Sequence, residues 1–321
     1  MVLDKKQEKY YNIRKKQGGT SMNLTLNQAK KKKNDEFYTL LEDIEQEMSY
    51  YDFTGKIIYC NCDDYRCSNF YKYFKSRFKE LGIKKLMATC LALDYLTEYD
   101  GIKETYTEHS GDFRECADLL QKADYIITNP PFSLFTEFIK MLMDNNKKFI
   151  ILGNINAISY KDMFSWLTQN KIWLGNRPLN KDMYFNVPDD VKEYFLKEKK
   201  EGSAYVIKDN QVLGRLASAC WYTNIIRPNT KKLKLECKYS PDKYQKYDNY
   251  DVINVDRVKD IPYNYTGIMG VPITYLGVHN PLEYEILGII NWSTWRGYEC
   301  YAIANGKHKY QRLIIKKRPA T

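Results

Sequence analysis

Four short apolar runs, separated by helical patterns, constrain the fold of this chain more than any other feature. They lie at residues 56–60, 86–90, 123–127 and 149–152. Short apolar runs bounded by turn residues are typical of buried strands in a parallel sheet. Because the runs alternate with helices, the sequence predicts βαβ units and an α/β fold with a mostly parallel, doubly wound sheet.

The third run leads directly into the motif TNPPF at residues 128–132. Open α/β sheets bind ligands at the carboxyl ends of their strands, so this motif is the predicted site of chemistry. The prolines lack N–H groups, and the carbonyl of Pro130 can face a pocket beside the side-chain oxygen of Asn129. Two adjacent acceptors suit the amine of adenine or cytosine, and Phe132 can stack on the base. The alternative is an ordinary strand-to-helix turn with proline near the helix start.

Two further polar loops are candidates for binding a cofactor. The sequence NCDD at residues 61–64 follows the first predicted strand, and Ser68 is placed to cap the next helix. Nucleotide-like cofactors bind at such loops in α/β folds, although the glycine-rich fingerprint is absent here. The second loop contains Asp112 and Phe113. These residues can hold an adenine ring, or Asp112 can merely cap a short helix.

Positive charge is concentrated at the two ends of the chain. Residues 1–33 carry ten basic and two acidic residues, and residues 300–321 carry six basic and no acidic residues. Since the whole chain has a net charge of +10, the stretch between the ends is mildly acidic. Basic ends suit a polyanion, so we expect residues 1–33 to form a flexible arm that binds nucleic acid. The lysines that would bind it are Lys30, Lys31, Lys32 and Lys33, with a merely solvated tail as the alternative.

The βαβ rhythm stops near residue 226, and a second region is predicted over residues 226–321. Lysines there, including Lys231, Lys232 and Lys234, interleave with Tyr239, Tyr244, Tyr247 and Tyr250. Basic and aromatic side chains together suit phosphate contact and base stacking, although a tyrosine-rich surface is the simpler explanation. A strand is predicted over residues 267–276, and Asn305-Gly306 predicts a hairpin turn before residues 310–315.

Composition argues against several other classes of protein. The eight cysteines show no disulfide framework, and the cluster of Cys60, Cys62 and Cys67 lacks a second Cys/His pair at zinc spacing. We therefore predict no metal site. No apolar run is long enough to cross a bilayer, and the start of the chain has no signal-peptide core. We expect a cytoplasmic protein without membrane contact.

Taken together, these motifs resemble those of the EcoRI-type adenine-specific DNA modification methyltransferases, which belong to the amino-methyltransferases with an NPPF motif. The resemblance covers the chain from about residue 30 to its end. It rests on NDEFYT at 34–39, YCNCDD at 59–64, GDFR at 111–114, TNPPFSLF at 128–135, GNINA at 153–157, WYTNI at 221–225 and GVPIT at 270–274.

The resemblance implies a Rossmann-like, S-adenosylmethionine-dependent methyltransferase. The catalytic domain would cover residues 34–225, and residues 226–321 would form a mixed, β-rich region that recognises the target. The residues that would contact the cofactor are Phe37, Tyr38, Thr39, Cys60, Asn61, Asp63, Asp112 and Phe113. The residues that match the catalytic motif are Asn129, Pro130, Pro131 and Phe132. The chain departs from general methyltransferases in lacking their glycine-rich first loop.

The predicted activity is methylation of the 6-amino group of an adenine flipped out of double-stranded DNA, without a metal. RNA or a protein glutamine amide are alternative substrates, because both offer a planar amine to the same pair of acceptors. A catalytically silent nucleic-acid-binding module is the alternative from another class. Such enzymes can act beside a cognate restriction endonuclease. The sequence leaves open whether one exists and whether the host is a bacterium or a phage.

Overall fold

A computed structural model describes residues 38–91, 93–179, 181–225, 233–290, 294–295, 298–299 and 301–319. Several predicted site residues lie outside these ranges, and their roles stay predictions. They are Lys30, Lys31, Lys32, Lys33, Phe37, Lys231 and Lys232. Among the described residues, no helix is both long enough and apolar enough to cross a membrane.

Helices and strands alternate in the first half of the described chain, and strands dominate the second half. The α-helices are α1 (Leu41–Met48), α2 (Asn69–Ser76), α3 (Ala117–Lys122), α4 (Phe135–Asp144), α5 (Lys161–Thr168) and α6 (Asp189–Glu198). Short 3-10 helices cover Phe113–Glu115, Phe132–Leu134, Ile155–Ser159, Val258–Asp260 and Ile273–Val278.

The strands of the first half are β1 (Tyr38–Thr39), β2 (Ile57–Asn61), β3 (Lys85–Cys90), β4 (Leu93–Tyr99), β5 (Glu104–Glu108), β6 (Tyr125–Thr128), β7 (Lys148–Asn154), β8 (Trp173–Leu174), β9 (Met183–Asn186), β10 (Tyr205–Lys208), β11 (Gln211–Leu216) and β12 (Ala219–Thr223). Those of the second half are β13 (Ile253–Asn254), β14 (Ile268–Pro272), β15 (Tyr284–Ile290), β16 (Thr294–Trp295), β17 (Tyr298–Glu299), β18 (Ala302–Ala304), β19 (Lys307–Lys309) and β20 (Arg312–Lys317).

The largest sheet has eight strands in the order β5-β4-β3-β2-β6-β7-β12-β8. Its central strands β3, β2, β6 and β7 are the four predicted from the apolar runs, and they pair in parallel. The flanking strands pair antiparallel on both sides. The prediction of a mostly parallel sheet is therefore wrong, and the fold is α/β with a mixed sheet. On one flank, β4 and β5 follow β3 through short reversals, which only antiparallel pairing permits. On the other flank, β12 follows β7 only after a long connection and pairs antiparallel with β7 and β8.

Helices cover both faces of this sheet, and the alternation of side chains along each strand explains how. Ile126 in β6 and Tyr222 in β12 lie in the same buried core as Leu120 of α3, Phe138 of α4 and Leu167 of α5. The next residue along β12, Trp221, points to the opposite face, where its ring meets Phe70 of α2 at 5.9 Å between centroids. The central strands are thus buried on both faces.

A smaller antiparallel sheet, in the order β1-β9-β11-β10, was not predicted from the sequence. It pairs Tyr38 with Asn186 and Thr39 with Phe185. The amide of Asn69, at the start of α2, donates to the Thr39 carbonyl at 2.8 Å. The small sheet is thereby attached beside the loop that follows β2.

The C-terminal strands form a third sheet, in the order β13-β14-β20-β15. The strand predicted over residues 267–276 ends early at Pro272, which lacks the N–H needed to extend the ladder and is followed by a 3-10 helix. Met269 and Ile315 from this sheet are buried in the same core as Ile126 and Phe138. The C-terminal sheet and the large sheet therefore share one hydrophobic core.

The hairpin turn predicted at Asn305-Gly306 is confirmed, with φ of 52° and 69° at the two residues. Its second strand is β19 rather than residues 310–315 as predicted, because a two-residue turn pairs Ala304 directly with Lys307. Strand β20 pairs instead with β14 and β15.

Candidate active site

The sheet brings the predicted cofactor loop and the predicted catalytic motif to the same edge. Asn61 ends β2 and Thr128 ends β6, and these two strands are parallel neighbours. The loop at residues 61–64 and the motif at residues 128–132 therefore leave the sheet side by side. Asn154, which ends β7, lies at this edge as well. Ligands bind at this edge in open α/β sheets.

Thr128 joins the two loops through its side chain. Its hydroxyl contacts the carbonyl oxygen of Asn61, and it lies 2.5 Å from Oδ2 of Asp63. The other carboxyl oxygen of Asp63 accepts a hydrogen bond from the Ser68 hydroxyl at 2.6 Å. The Asp63 N–H donates to the carbonyl of Thr89, in β3, at 2.8 Å. Asp63 is thereby bonded to the ends of β3 and β6 and to the start of α2.

Burial raises the pKa of Asp63 to about 7, although the hydrogen bonds from Ser68 and Thr128 lower it. Its residual exposure is 8%. A carboxyl with this pKa holds a proton through much of the range below neutrality. This proton supplies a missing hydrogen bond, because the Thr128 hydroxyl has only one hydrogen for two neighbouring acceptors. A protonated Asp63 donates to the hydroxyl, which then donates to the Asn61 carbonyl.

Ser68 confirms its predicted role as the cap of α2. Its hydroxyl accepts hydrogen bonds from the N–H groups of Phe70 and Tyr71 at 3.1 and 3.3 Å. The same hydroxyl donates its own hydrogen to Asp63. The start of α2 is therefore fixed relative to β2 and β6 by one buried side chain.

Two buried polar atoms at this edge are available to a ligand. Within the part of the chain that the structure describes, Thr39 Oγ1 and Asn61 Nδ2 have no hydrogen-bond partner. Both residues are at most 2% exposed. Buried polar atoms are normally satisfied, so each would gain from a bound polar group. Both belong to the residues predicted to contact the cofactor.

The other predicted cofactor residues occupy different environments. Cys60 is buried within β2, and burial raises the pKa of its thiol. Tyr38 is half-buried next to Thr39. Asp112 accepts a hydrogen bond from the Arg114 N–H at 3.0 Å, so it caps the 3-10 helix that follows. The Phe113 ring is 5% exposed and packs edge-on against Phe138, with the ring centroids 5.1 Å apart.

Gly111 is a site residue that the sequence analysis overlooked. A Cβ atom at this position would lie 1.8 Å from the carbonyl oxygen of Cys90, at the end of β3. Only glycine allows the loop before Asp112 to approach the sheet edge this closely. The signal was present as the first residue of the sequence GDFR.

The catalytic motif forms a tight turn between β6 and α4. Pro130 is buried, and Asn129, Pro131 and Phe132 are half-buried. The N–H of Leu134 donates to the Pro131 carbonyl at 2.9 Å and closes the 3-10 helix Phe132–Leu134. Proline thus stands just before the short helix, where its missing N–H is of no consequence.

Phe135, the first residue of α4, packs against β7 and β12 and so fixes the motif beside them. Its ring packs on Tyr222 with the centroids 5.3 Å apart. A Cβ atom on Gly153 would come within 2.4 Å of the same ring. The Tyr222 hydroxyl in turn donates to the Asn154 carbonyl at 2.9 Å. The ends of β6 and β7 are held together by this packing.

Comparison with known proteins identifies the family. The family model for the adenine-specific methyltransferase EcoRI matches residues 25–104 and 91–318. The chain belongs to this family. The resemblance stated from the motifs is thereby confirmed.

The relatives of this methyltransferase are similar over nearly its whole length. The type II methyltransferase M.EcoRI of Escherichia coli is 39% identical over 92% of this chain and 97% of its own length. The type II methyltransferases M.MgeORF184P of Mycoplasma genitalium and M.MpnI of Mycoplasma pneumoniae are each 36% identical, over 91% of this chain and 98% of their own. No solved structure matches the chain significantly.

Among the described lysines and tyrosines that were predicted to bind nucleic acid, some lie at the surface of this methyltransferase and others are buried. Lys234 is exposed, but it alternates with the exposed Glu236. Tyr244 and Tyr247 are each 4% exposed, and their hydroxyls donate to the carbonyls of Asp260 and Gly270. These two rings fill the core and cannot stack on bases. Interleaving with lysine in the sequence did not distinguish them from surface tyrosines.

Across the described residues, no group of three or more His, Cys, Asp or Glu side chains is arranged to hold a metal ion.

Proposed function

We propose that this methyltransferase transfers a methyl group from S-adenosylmethionine to the 6-amino group of an adenine flipped out of double-stranded DNA. The observation that carries the proposal is the bond from Thr128 to the loop after β2. It fixes the TNPPF motif beside a loop in which a buried donor is available to a ligand.

The residues at the sheet edge fit the proposed cofactor. S-adenosylmethionine carries a carboxylate, an amino group and ribose hydroxyls, and when bound it supplies an electrophilic methyl group on sulfur. The Asn61 amide can donate to one of its oxygens, and the Thr39 hydroxyl can donate or accept. Tyr38 and Phe37 would lie beside it, and Asp112 and Phe113 would meet its adenine. Cys60 is the weakest of the proposed contacts, because its thiol is buried within the sheet.

The motif would act by orientation rather than by acid or base chemistry. The side-chain oxygen of Asn129 and the carbonyl of Pro130 would accept the two amine hydrogens, while Phe132 stacks on the base. This pulls the nitrogen toward tetrahedral geometry and directs its lone pair at the methyl group. The nitrogen forms a bond to carbon as the carbon–sulfur bond breaks, and the resulting ammonium loses a proton to water.

Double-stranded DNA is the proposed substrate because of the charge distribution. The basic residues at 1–33 and 300–321 would neutralise phosphates. Lys234 would neutralise a phosphate in the same way. Flipping the base costs a few kcal/mol of stacking and pairing, which the pocket must offset. We propose that the enzyme acts in the bacterial cytoplasm, with or without a cognate restriction endonuclease.

The decisive experiment uses the purified chain, unmethylated plasmid DNA and S-adenosylmethionine with a radiolabelled methyl group. The DNA is digested to nucleosides, and the labelled base is identified. Label in N6-methyladenine supports the proposal. Label in methylcytosine, or in RNA or a protein glutamine offered in parallel, contradicts it. Failure to bind S-adenosylmethionine in equilibrium dialysis would favour a silent nucleic-acid-binding module instead.

A further inference from the structure

The hairpin formed by β18 and β19 projects a basic tip from the C-terminal part of the molecule. Its four consecutive residues from Asn305 to His308 are all exposed. Within the described residues, the ion pair of this hairpin is made by Lys309 with Asp256, and Lys307 lies exposed at the tip. Residues 300–321, to which the hairpin belongs, carry six basic residues, of which Lys309 and Arg312 pair with Asp256. The tip thus presents the ammonium group of Lys307 to solvent, and the only carboxylate bonded to the turn among the described residues is that of Asp248.

The hairpin is held rigidly from one side by the segment at residues 248–249. The Asp248 carboxylate accepts hydrogen bonds from the N–H groups of Asn305 and Gly306, at 3.2 and 2.8 Å. The Asp248 N–H donates to the carbonyl of Ile303 at 2.7 Å, and the Asn249 side chain bonds to Ile303 and Tyr301. A turn braced in this way presents its side chains in a fixed geometry, which recognition requires.

The two faces of the hairpin differ in chemistry. Ile303 lies opposite His308, while Lys307 lies opposite the buried Ala304. The His308 ring stacks on the Tyr301 ring, with the centroids 4.6 Å apart and the planes 19° apart. The exposed imidazole therefore has a preferred orientation.

The base of the hairpin reaches the edge of the sheet where the catalytic motif lies. The Tyr310 hydroxyl donates to the side-chain oxygen of Asn156 at 2.5 Å. Asn156 follows β7, and its N–H donates to the side chain of Asn154 at 2.9 Å. Strand β7 is the parallel neighbour of β6, which leads into Asn129. Two hydrogen bonds therefore connect Tyr310, at the base of the hairpin, to the end of β7, which lies beside the strand that leads into the catalytic motif.

We propose that the hairpin at residues 301–310 enters the major groove of the DNA beside the target adenine. A two-stranded ribbon fits that groove, and the groove presents hydrogen-bond acceptors and donors on every base pair. His308 reads a base edge, and Lys307 neutralises a phosphate. This inference rests on the proposed function, since it assigns the contact that selects the site of methylation.

Two measurements on the full chain test the hairpin. In the first, acetic anhydride labels lysines with and without unmethylated plasmid DNA, and mass spectrometry quantifies Lys307 against Lys197. Lys197, on α6, has a side chain 72% exposed and serves as the control. We expect DNA to lower the labelling of Lys307 at least about fivefold relative to Lys197. Equal labelling with and without DNA overturns the inference.

The second measurement compares the sites methylated by wild type, His308→Ala, Lys307→Ala and Lys197→Ala, mapped by sequencing that detects the modified base. His308→Ala should raise methylation at sites with one changed base pair about tenfold relative to the preferred site. Lys307→Ala should leave the preference unchanged and reduce the salt slope of binding by about 0.9. If His308→Ala leaves the preferred DNA sequence unchanged, the proposal that His308 recognises a base edge is overturned.

These measurements separate the two proposals. Protection of Lys307 by DNA without methyl label in adenine supports the hairpin as a DNA contact and refutes the proposed function. Methyladenine without protection of Lys307 does the reverse.

Discussion

The edge of the large sheet and the C-terminal hairpin hold their polar groups in opposite ways. At the sheet edge, Asp63, Ser68 and Thr128 are buried and bonded to one another. At the hairpin, Lys307 and His308 project into solvent. Buried polar networks are strong and insensitive to salt, whereas exposed charges are screened by it. Salt should therefore leave the hydrogen bonds at the sheet edge nearly unchanged and weaken any contact that the exposed hairpin side chains make with a charged partner.

The largest effect should come from Asn129→Ala, which removes one of the two acceptors proposed for the amine. We expect the rate of methyl transfer to fall by about 10²–10³-fold, in analogy with loss of one group that stabilises a transition state. Binding of S-adenosylmethionine and the melting temperature should be nearly unchanged. Single-turnover kinetics and equilibrium dialysis measure the two quantities. Asn145→Ala, beyond the far end of α4, is the control, and equal rates in both variants would refute the assignment.

A pair of glycine substitutions tests how differently the two regions are packed. Gly111→Ala places a methyl group 1.8 Å from the Cys90 carbonyl, so the backbone must move. We expect a loss of at least about 2 kcal/mol in the free energy of unfolding. Gly306→Ala meets nothing within 4 Å and strains only a φ of +69°, so about 1 kcal/mol is expected. Urea denaturation measures both, and equal losses would contradict the tight approach at Gly111.

The pH dependence of stability should reveal the proton on Asp63. Its pKa is raised from 3.8 to about 7, so the folded state retains a proton that the unfolded chain releases. Stability therefore falls as pH rises between these values, by about 1.4 kcal/mol per pH unit, and is constant above about 7. Asp63→Asn keeps both hydrogen bonds without titrating. The difference in unfolding free energy between wild type and Asp63→Asn should show this slope, and a constant difference would contradict the assignment.

The smallest effect is expected from deleting residues 1–33, which removes ten basic and two acidic residues. Binding should weaken equally for all DNA sequences, and the slope of log affinity against log salt should fall by about 0.9 for each phosphate that the arm neutralises. Fluorescence anisotropy over a series of salt concentrations measures this. The sites methylated should not change, in contrast to His308→Ala. An unchanged slope would show that the arm does not touch DNA.

Sequence patterns predicted the four central parallel strands of the large sheet and missed its flanking antiparallel strands β4 and β5. Strands β2, β3, β6 and β7 are apolar runs because helices cover them on both sides. Strands β4 and β5 have the sequences LDYLTEY and ETYTE and expose many of their residues, so they resemble loops. In the small sheet, the pairing of β1 with β9 and of β9 with β11 spans long sequence separations, which no local pattern encodes. Strands β10 and β11 form a local hairpin with Asp209 and Asn210 at its turn, a signal that was missed.

The candidate site shows the same limit at the level of single residues. The motif at 128–132 was recognised, but the bond from Thr128 to Asp63 spans 65 positions and could not be predicted. Asp63 was expected to contact the cofactor directly, whereas both of its carboxyl oxygens bond to Ser68 and Thr128. Its direct contact with the cofactor stays a prediction.

The core shared by the two halves has a consequence for how such enzymes acquire new target sequences. Met269 and Ile315 pack in the same buried cluster as Ile126 and Phe138. Exchanging the C-terminal sheet between relatives as a cassette would leave mismatched side chains in the middle of the protein. Point changes on the exposed hairpin disturb no such packing. With the hairpin as the proposed contact that selects the target, we expect sequence preference to evolve by single substitutions at its tip rather than by recombination of whole segments.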